Sequence, residues 1–330
     1  MVAKLEDVAK KAGVSPTTVS RVINNYGAIS ENTRNKVHTA MKELNYQPNS
    51  LARSLQGKKT QLIGLIFPSI TNPFYAELIA TIEDQLFKSH YKTILCNASN
   101  DQNKERDYLN MLVSNQVDGI IVGTHSKSLK EYQEIKQAIV SFDRYLADSI
   151  PIVGSDNYQG AALAAEELIN SGASNIYFLG NVHAGRDLQP TDQREIAFRK
   201  TLAEHQLTPN FLPLSTEISV NIKHMMIREL LQKNQNIDGI MTTDDLTALL
   251  TINVARELGI TIPNDLKVIG FDGTKFIQDY YPELTTIAQP ISDIAELLIN
   301  TLFKQIDNHD HYENKHFILP NKLIKGNTSR

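Results

Sequence analysis

The stretch LEDVAKKAGVSPTTVSRVI, residues 5–23, decides the fold of the amino-terminal part of the chain. Its first half predicts an amphipathic helix, because apolar residues recur there at helical spacing, namely Leu5, Val8, Ala9 and Ala12. Gly13 ends this helix. Ser15 is suited to cap a second helix, and Pro16 is suited to its first position. The stretch therefore predicts two short helices joined by a tight turn.

The second helix carries polar side chains on one side, namely Thr17, Thr18, Ser20 and Arg21. An α-helix fits the major groove of DNA, where hydroxyl groups and arginine reach base edges and phosphates. The alternative is an ordinary pair of helices whose polar face is solvated. A third helix is expected behind the pair, capped by Ser30 and ending near Asn45.

The charge of the chain is unevenly distributed. Residues 1–60 contain ten Lys and Arg against four Asp and Glu, a net charge of +6, so the remainder carries −10 to give the chain its −4. A basic segment that coincides with a candidate DNA-reading helix is typical of a nucleic-acid-binding domain.

Composition and length exclude several classes of protein. The chain has 330 residues, 41% hydrophobic and 21% charged, which is typical of a globular protein with two or three domains. No apolar run approaches the length of a membrane span, and the first residues lack the apolar core of a secretory signal. The single cysteine, Cys96, excludes an internal disulfide and fits a cytoplasmic location. It lies in an apolar run and is expected to be a buried strand residue.

From Gln61 onwards, short apolar runs alternate with helical segments. This pattern predicts parallel sheets that are buried on both faces, and its repetition predicts two lobes with a cleft between them. The expected strands lie in the runs 62–67, 91–99, 118–124, 138–143, 150–157, 175–180, 238–243 and 266–273. Two further runs, 284–290 and 315–320, flank a long helix expected at about 292–307. One of the intervening helices is expected at about 128–138.

Ligands in such folds bind beyond the carboxyl ends of the strands. The expected ligand wall therefore consists of the segments that follow strands: Ser69 to Tyr75, Thr124 to Ser126, Asp143 and Arg144, Asp272 and Gly273, and Gln289.

Catalytic and cofactor chemistry is not indicated. The sequence has no glycine-rich phosphate loop, no GxSxG motif and no Cys and His at zinc spacing. His309, His311 and His316 lie in a polar, acidic segment that is more typical of a solvated turn than of a metal site. We therefore expect neither an enzyme nor a bound metal or cofactor.

Several motifs in this order resemble those of the LacI/GalR family of bacterial transcription regulators. They are DVAKKAGVSPTTVSRVIN, SENTRNKVHTAMKELNYQPN, LARSL, NPFY, VIGFDG and LTTIAQP, which together extend over nearly the full length. The runs LARSLQGK, LIGLIFP, NDQNKERDYLNML, QVDGII and YYPELTTIAQP are most similar to those of family members that control sucrose operons.

The resemblance implies a small all-α helix-turn-helix head followed by an α/β body of two parallel-sheet lobes, similar to periplasmic binding proteins. It places a DNA-binding domain at residues 1–60, with a hinge helix at about 49–57, and a sugar-binding and dimerisation domain at 61–330. The N-lobe would comprise about 61–158 and 290–319, and the C-lobe about 159–289 and 320–330.

The resemblance also implies functional residues. Those expected to contact DNA are Leu5, Ser15, Pro16, Thr17, Thr18, Ser20, Arg21, Asn24, Tyr46, Asn49, Ala52, Arg53 and Leu55. Among them, Leu55 matches the apolar side chain that wedges into the minor groove and kinks the duplex. Those expected to bind the effector are Phe74, Tyr75, Asp143, Arg194, Thr243, Asp244, Asp272 and Gln289.

The expected function is that of a homodimeric repressor, which reads a near-palindromic double-stranded operator and answers to a sugar or sugar phosphate in the cleft. Three alternatives remain. A periplasmic sugar-binding protein would not need the basic head, and a sugar-metabolising enzyme would need a general base and a nucleophile that we cannot place. A catabolite-control regulator of the same family would answer to a phosphorylated carrier protein.

Overall fold

The structure of the protein is a computed structural model that describes residues 3–23, 26–46, 59–124, 129–182, 188–215, 218–308 and 315–330. The chain divides into two compact units, Met1–Thr60 and Gln61–Arg330. In the described ranges, no helix is long and apolar enough to cross a membrane.

The first unit contains the three helices expected from the sequence. They are α1 (Leu5–Ala12), α2 (Pro16–Ile23) and α3 (Glu31–Glu43). Gly13 ends α1 with a left-handed backbone conformation (φ 69°), which glycine adopts without steric cost. The side chain of Ser30 caps α3 by accepting a hydrogen bond from the backbone of Thr33. The core of this small unit consists of Val8, Ala9, Ala12, Val19, Val22, Val37 and Ala40.

The second unit contains two six-stranded sheets. The strands of the first sheet, in spatial order, are β11 (His316–Leu319), β5 (Ile152–Ser155), β4 (Ala138–Phe142), β3 (Gly119–Val122), β1 (Leu62–Phe67) and β2 (Lys92–Asn97). All pairings in this sheet are parallel. Its strands are apolar runs because helices cover both faces.

The second sheet repeats this design. Its strands, in spatial order, are β12 (Lys322–Ile324), β10 (Thr285–Ala288), β9 (Lys267–Asp272), β8 (Gly239–Thr242), β6 (Ile176–Gly180) and β7 (Asn210–Pro213). Only the pairing of β12 with β10 is antiparallel among these strands. The predicted fold class, a helical head and a body of two parallel-sheet lobes, is confirmed.

The helices of the second unit pack on the sheets. They are α4 (Pro73–Lys88), α5 (Gln102–Ser114), α6 (Asn157–Asn170), α7 (Gln193–Glu204), α8 (Val220–Lys233), α9 (Asp245–Glu257), α10 (Lys275–Tyr280) and α11 (Ile291–Asn308). Helices α4 and α11 cover one face of the first sheet, and α5 covers the other. Helices α6 and α7 cover one face of the second sheet, and α8 and α9 cover the other. Cys96 is buried in β2, as expected.

The prediction of a helix at about 128–138 is wrong. The described part of this segment contains only a short 3₁₀ helix, Lys130–Gln133, and an irregular stretch that leads into β4. Tyr132 accounts for the shortness, because its ring is buried and its hydroxyl donates to Glu105 at 2.7 Å. The chain is thereby fixed against α5 and then has to reach the first residue of β4 within a few residues.

Candidate functional site

The turn between α1 and α2 is built by local hydrogen bonds. The Oγ of Ser15 accepts a hydrogen bond from the backbone of Thr18 at 3.1 Å, and Pro16 occupies the first position of α2. Val19 and Val22 on the inner side of α2 are buried. Since these two residues fix the rotation of the helix, its opposite side faces solvent.

The exposed side of α2 carries the side chains predicted to contact DNA. Pro16, Thr17 and Arg21 are exposed, whereas Thr18 and Ser20 are half-buried. The Ser15 and Thr18 hydroxyls share a hydrogen bond of 2.9 Å, so both have a structural partner before any ligand binds.

The remaining predicted DNA contacts divide into two groups. Leu5 and Tyr46 are partly buried and pack against the core of the head. Burial raises the pKa of the Tyr46 hydroxyl, and the nearby Glu6 carboxylate adds to the effect. The others lie outside the described residues, namely Asn24, Asn49, Ala52, Arg53 and Leu55.

The second unit contains a cavity of about 620 Å³ at the carboxyl ends of strands from both sheets. The cavity is lined by all eight predicted effector residues, Phe74, Tyr75, Asp143, Arg194, Thr243, Asp244, Asp272 and Gln289. It lies in the cleft that the strand pattern predicted, and its volume is in the range of ordinary small-molecule sites.

Arg194 is held at the start of α7 by three contacts. Its Nε donates to Asn157 Oδ1 at 2.7 Å, and its Nη1 donates to the Thr243 carbonyl at 2.6 Å. Its guanidinium carbon lies 3.6 Å from the centroid of the Phe271 ring. The two hydrogen bonds use two of the five N–H groups of the side chain, so the others remain for a ligand.

Asp143 faces Arg194 from the end of β4. Both of its carboxylate oxygens accept hydrogen bonds from Asn157 Nδ2, at 2.9 and 3.0 Å. Burial raises the pKa of Asp143 to about 6, although Arg194 and the Asn157 hydrogen bonds act in the opposite direction. Asn157 therefore connects the two charged groups, because it donates to the Asp143 carboxylate and accepts from the Arg194 guanidinium.

Gln289 connects the two sheets at the base of the cavity. Its Nε2 donates to Asp272 Oδ1 at 2.9 Å, and its Oε1 accepts from Ser155 Oγ at 2.7 Å. Asp272 ends β9 with φ 114°, a strained value for a residue other than glycine. Burial raises the pKa of Asp272, and the positive charge of Arg194 opposes this shift.

Asp244 combines a structural position with its place in the cavity wall. It is the N-cap of α9, and its two oxygens accept hydrogen bonds from the backbone and the hydroxyl of Thr247, both at 2.8 Å. The next residue, Asp245, is buried and accepts from Thr286 Oγ1 and from the backbone of Gly273. Burial raises the pKa of Asp245 to about 7.

Phe74 and Tyr75 form an aromatic wall at the start of α4. The Oδ1 of Asn72 accepts the backbone N–H groups of both residues, which fixes the first turn of the helix at the cavity. The two rings lie edge to face with centroids 5.5 Å apart, and Phe74 also packs on Phe142 at 5.6 Å. Phe74 is only 5% exposed and belongs to the core as much as to the wall.

Several residues of the cavity wall were not among the predicted effector residues. They include Asn97, Asn100, Arg144, Asn181, Gln189, Asp192 and Ser215. Asn97 and Asn181 lie at or just after the ends of β2 and β6, so the strand-end rule applied to every expected strand would have found them, whereas Ser215 follows β7, a strand that the sequence did not predict. Thr124, from a predicted wall segment, donates instead to the buried Glu105 at 2.8 Å.

In the described residues, no group of three or more His, Cys, Asp or Glu is placed to hold a metal ion. His316 lies in β11, whereas His309 and His311 are outside the described residues.

Two family models match the chain. Residues 4–49 match the model described as bacterial regulatory proteins of the lacI family, and residues 165–329 match the model of a periplasmic binding protein-like domain. The first of these segments contains the three helices of the head, and the second contains all six strands of the second sheet.

Individual proteins resemble the chain over most of its length. The sucrose operon repressor of Pediococcus pentosaceus is 52% identical over 330 residues, which cover 100% of both chains. A periplasmic binding protein/LacI transcriptional regulator from Alkaliphilus metalliredigens QYMF, solved with D-xylulofuranose, is 30% identical with a TM-score of 0.73, covering 81% of this chain and 98% of that one. The lac repressor dimer bound to operator and the anti-inducer ONPF has a TM-score of 0.83 at 24% identity, covering 100% of this chain and 99% of that one. At this identity the likeness shows a shared fold.

Proposed function

The chain belongs to the lacI family of bacterial regulatory proteins, and we propose that it represses a sucrose operon until a sugar fills the cavity between its two sheets. It is a DNA-binding transcriptional repressor of a sugar operon. The sucrose operon repressor of Pediococcus pentosaceus, 52% identical over the full length, supports sucrose as the sugar whose use is controlled.

The placement of Arg194 and Asp272 is the observation that carries the effector proposal. Arg194 is preset by Asn157 and Phe271, and Asp272 is preset by Gln289. A guanidinium and a carboxylate suit vicinal hydroxyls, because each pairs with two oxygens at once. Phe74 and Tyr75 offer apolar ring surface to the C–H face of a sugar. We propose that the cavity binds a sugar without converting it.

The operator would be read by the exposed side of α2. Pro16 and Thr17 would select the operator sequence, Arg21 would contact a base edge, and Thr18 and Ser20 would contact phosphates or edge atoms. The segment 49–57 would form a hinge helix on operator, with Leu55 inserted into the minor groove. A homodimer with one head on each half-site requires a near-palindromic operator. We propose a cytoplasmic location, because that is where operator DNA lies in a bacterial cell.

The two lobes would transmit the effector signal to the hinge. Described contacts between them include the backbone N–H of Lys275, at the start of α10, which donates to Glu77 Oε2 on α4 at 2.8 Å. Both ends of this hydrogen bond lie within three residues of the cavity wall, at Tyr75 and Asp272. A sugar between these walls would change the separation of the lobes and, through it, the spacing of the two hinge segments in a dimer. We propose 61–158 with 290–319, and 159–289 with 320–330, as the moving lobes.

Binding of the full chain to a sucrose-operon promoter tests the proposal. Fluorescence anisotropy should detect nanomolar binding that sucrose, fructose or one of their phosphates weakens at least tenfold. Arg194→Ala should bind operator normally but no longer respond to sugar. Release only by a phosphorylated carrier protein would favour the catabolite-control alternative, and turnover of the sugar would favour an enzyme.

A further inference from the structure

Three buried polar atoms on one side of the cavity have no hydrogen-bond partner in the described part of the chain. They are Asn97 Oδ1, Asn100 Oδ1 and Arg144 Nε, and all three residues line the cavity. Arg144 is buried, with only 6% of its surface exposed. Leaving such a group unpaired costs about 1–3 kcal/mol, so its partner is expected from whatever fills the cavity.

These atoms lie on the first-sheet side of the cavity, whereas Arg194 lies on the second-sheet side. Asn97 ends β2, Asn100 follows it, and Arg144 follows β4. Arg194 stands in α7, and Asp272 ends β9 of the second sheet. The cavity thus has two polar ends, one contributed by each sheet.

We propose that Asn97, Asn100 and Arg144 form a second sugar subsite, so that the effector is a neutral disaccharide with one ring at each polar end. This inference rests on the proposed function. The unpaired atoms are two acceptors and one donor, and a sugar hydroxyl both donates and accepts. The hydroxyls of a sugar ring therefore have the chemistry that all three atoms need. The cavity volume of about 620 Å³ is well within the range of sites for ligands of this size.

A phosphate group matches this end of the cavity less well. At neutral pH it only accepts hydrogen bonds, so it would pair with Arg144 and leave the two amide oxygens unpaired. The described lining residues also include four aspartates, Asp143, Asp192, Asp244 and Asp272, against two arginines.

Helix amino-termini often hold phosphates, and two of those at this cavity, the starts of α4 and α9, already have side-chain acceptors. The first N–H groups of α4 are accepted by Asn72, and the N–H of Thr247 in α9 is accepted by Asp244. The described wall therefore supplies hydroxyl partners more readily than a phosphate cradle.

Calorimetric titration of the full chain with sucrose, glucose, fructose and sucrose 6-phosphate tests the inference. Wild type should bind sucrose at least tenfold more tightly than either monosaccharide. Asn97→Ala and Arg144→Lys should weaken sucrose binding about five- to tenfold and leave the better-bound monosaccharide unchanged. Lys92→Ala, exposed at the other end of β2, is the matched control and should change nothing.

The outcomes separate this inference from the proposed function. Unchanged sucrose affinity in both variants, or an equal loss for sucrose and monosaccharide, overturns the second subsite while the repressor function stands. Tighter binding of sucrose 6-phosphate that depends on Arg144 identifies an anion subsite and also overturns it. Absence of binding by every sugar, in protein that melts like wild type and binds operator, overturns the sugar effector and the inference together.

Discussion

Replacement of Asn157 by alanine tests the polar network that presets the cavity. Asn157 is 3% exposed and makes two hydrogen bonds to Asp143 and one to Arg194. Both partners are buried charged groups, at 3% and 8% exposure. Hydrogen bonds to charged groups contribute about 1.5–3 kcal/mol each, and loss of a partner leaves the other group buried and unpaired.

We expect Asn157→Ala to lower the free energy of unfolding by about 3–5 kcal/mol, which is on the order of a 10 °C fall in Tm for a unit of this size. The assay is differential scanning calorimetry of the sugar-free protein at pH 7.5. Sugar binding should weaken at least tenfold, because Arg194 loses the bond that fixes its Nε.

Two further variants control this experiment. Asn115→Ala removes one exposed, local hydrogen bond at the end of α5 and should cost less than about 1 kcal/mol. Asn157→Asp keeps an acceptor for Arg194 but sets a carboxylate against Asp143, so its Tm should fall further at pH 8 than at pH 5. A Tm within 2 °C of wild type for Asn157→Ala would refute the reasoning.

Three other predictions follow from the described contacts. Burial raises the pKa of Asp143 to about 6, so the folded protein keeps a proton that the unfolded chain has released above pH 4. Because of this group, the free energy of unfolding should fall by about 2–3 kcal/mol between pH 4 and 7. Urea titrations should show a smaller fall for Asp143→Asn than for wild type. Glu77→Ala removes the hydrogen bond to Lys275 between the lobes and should weaken sugar binding severalfold by calorimetry. Glu83→Ala, exposed on the same helix, should leave it unchanged. Equal effects of the two variants would show that this hydrogen bond does not contribute to sugar binding. Arg21→Ala should weaken operator binding by about 1–3 kcal/mol in anisotropy titrations at fixed salt, with unchanged helix content by circular dichroism; undiminished affinity would remove Arg21 from the interface.

The elements that the sequence predicted are those whose signals are local. Gly13, Ser15 and Pro16 act within one turn of the chain, and their spacing gave the end of α1 and the start of α2 correctly. The parallel strands appear as apolar runs because both faces are covered. Strand β7 was not predicted, since its residues Asn210–Pro213 lie at a sheet edge, are not buried and form no such run. Helix α8 and strand β12 were also missed.

Part of the cavity wall was predictable, because strands leave local signals in the sequence and ligand residues follow strand ends. A rule about strand ends reaches Asp143, Asp272 and Gln289, because each follows a strand. Asn157 also follows a strand, but the rule gave no reason to select it, because its importance depends on two partners, Asp143 and Arg194, that lie 14 and 37 residues away along the chain. Only the fold reveals that one amide serves both charges. The unpaired atoms of Asn97 and Arg144 are likewise visible only once burial is known.

We propose that sugar binding and operator binding oppose one another through this chain. The most direct test is calorimetric titration of the effector sugar into the full chain, with and without saturating operator. We expect sugar binding about 5- to 150-fold weaker on the operator complex. Saturating sugar should weaken operator binding by the same factor, since coupling free energies of ~1–3 kcal/mol are reciprocal. Equal sugar affinity with and without operator would contradict it.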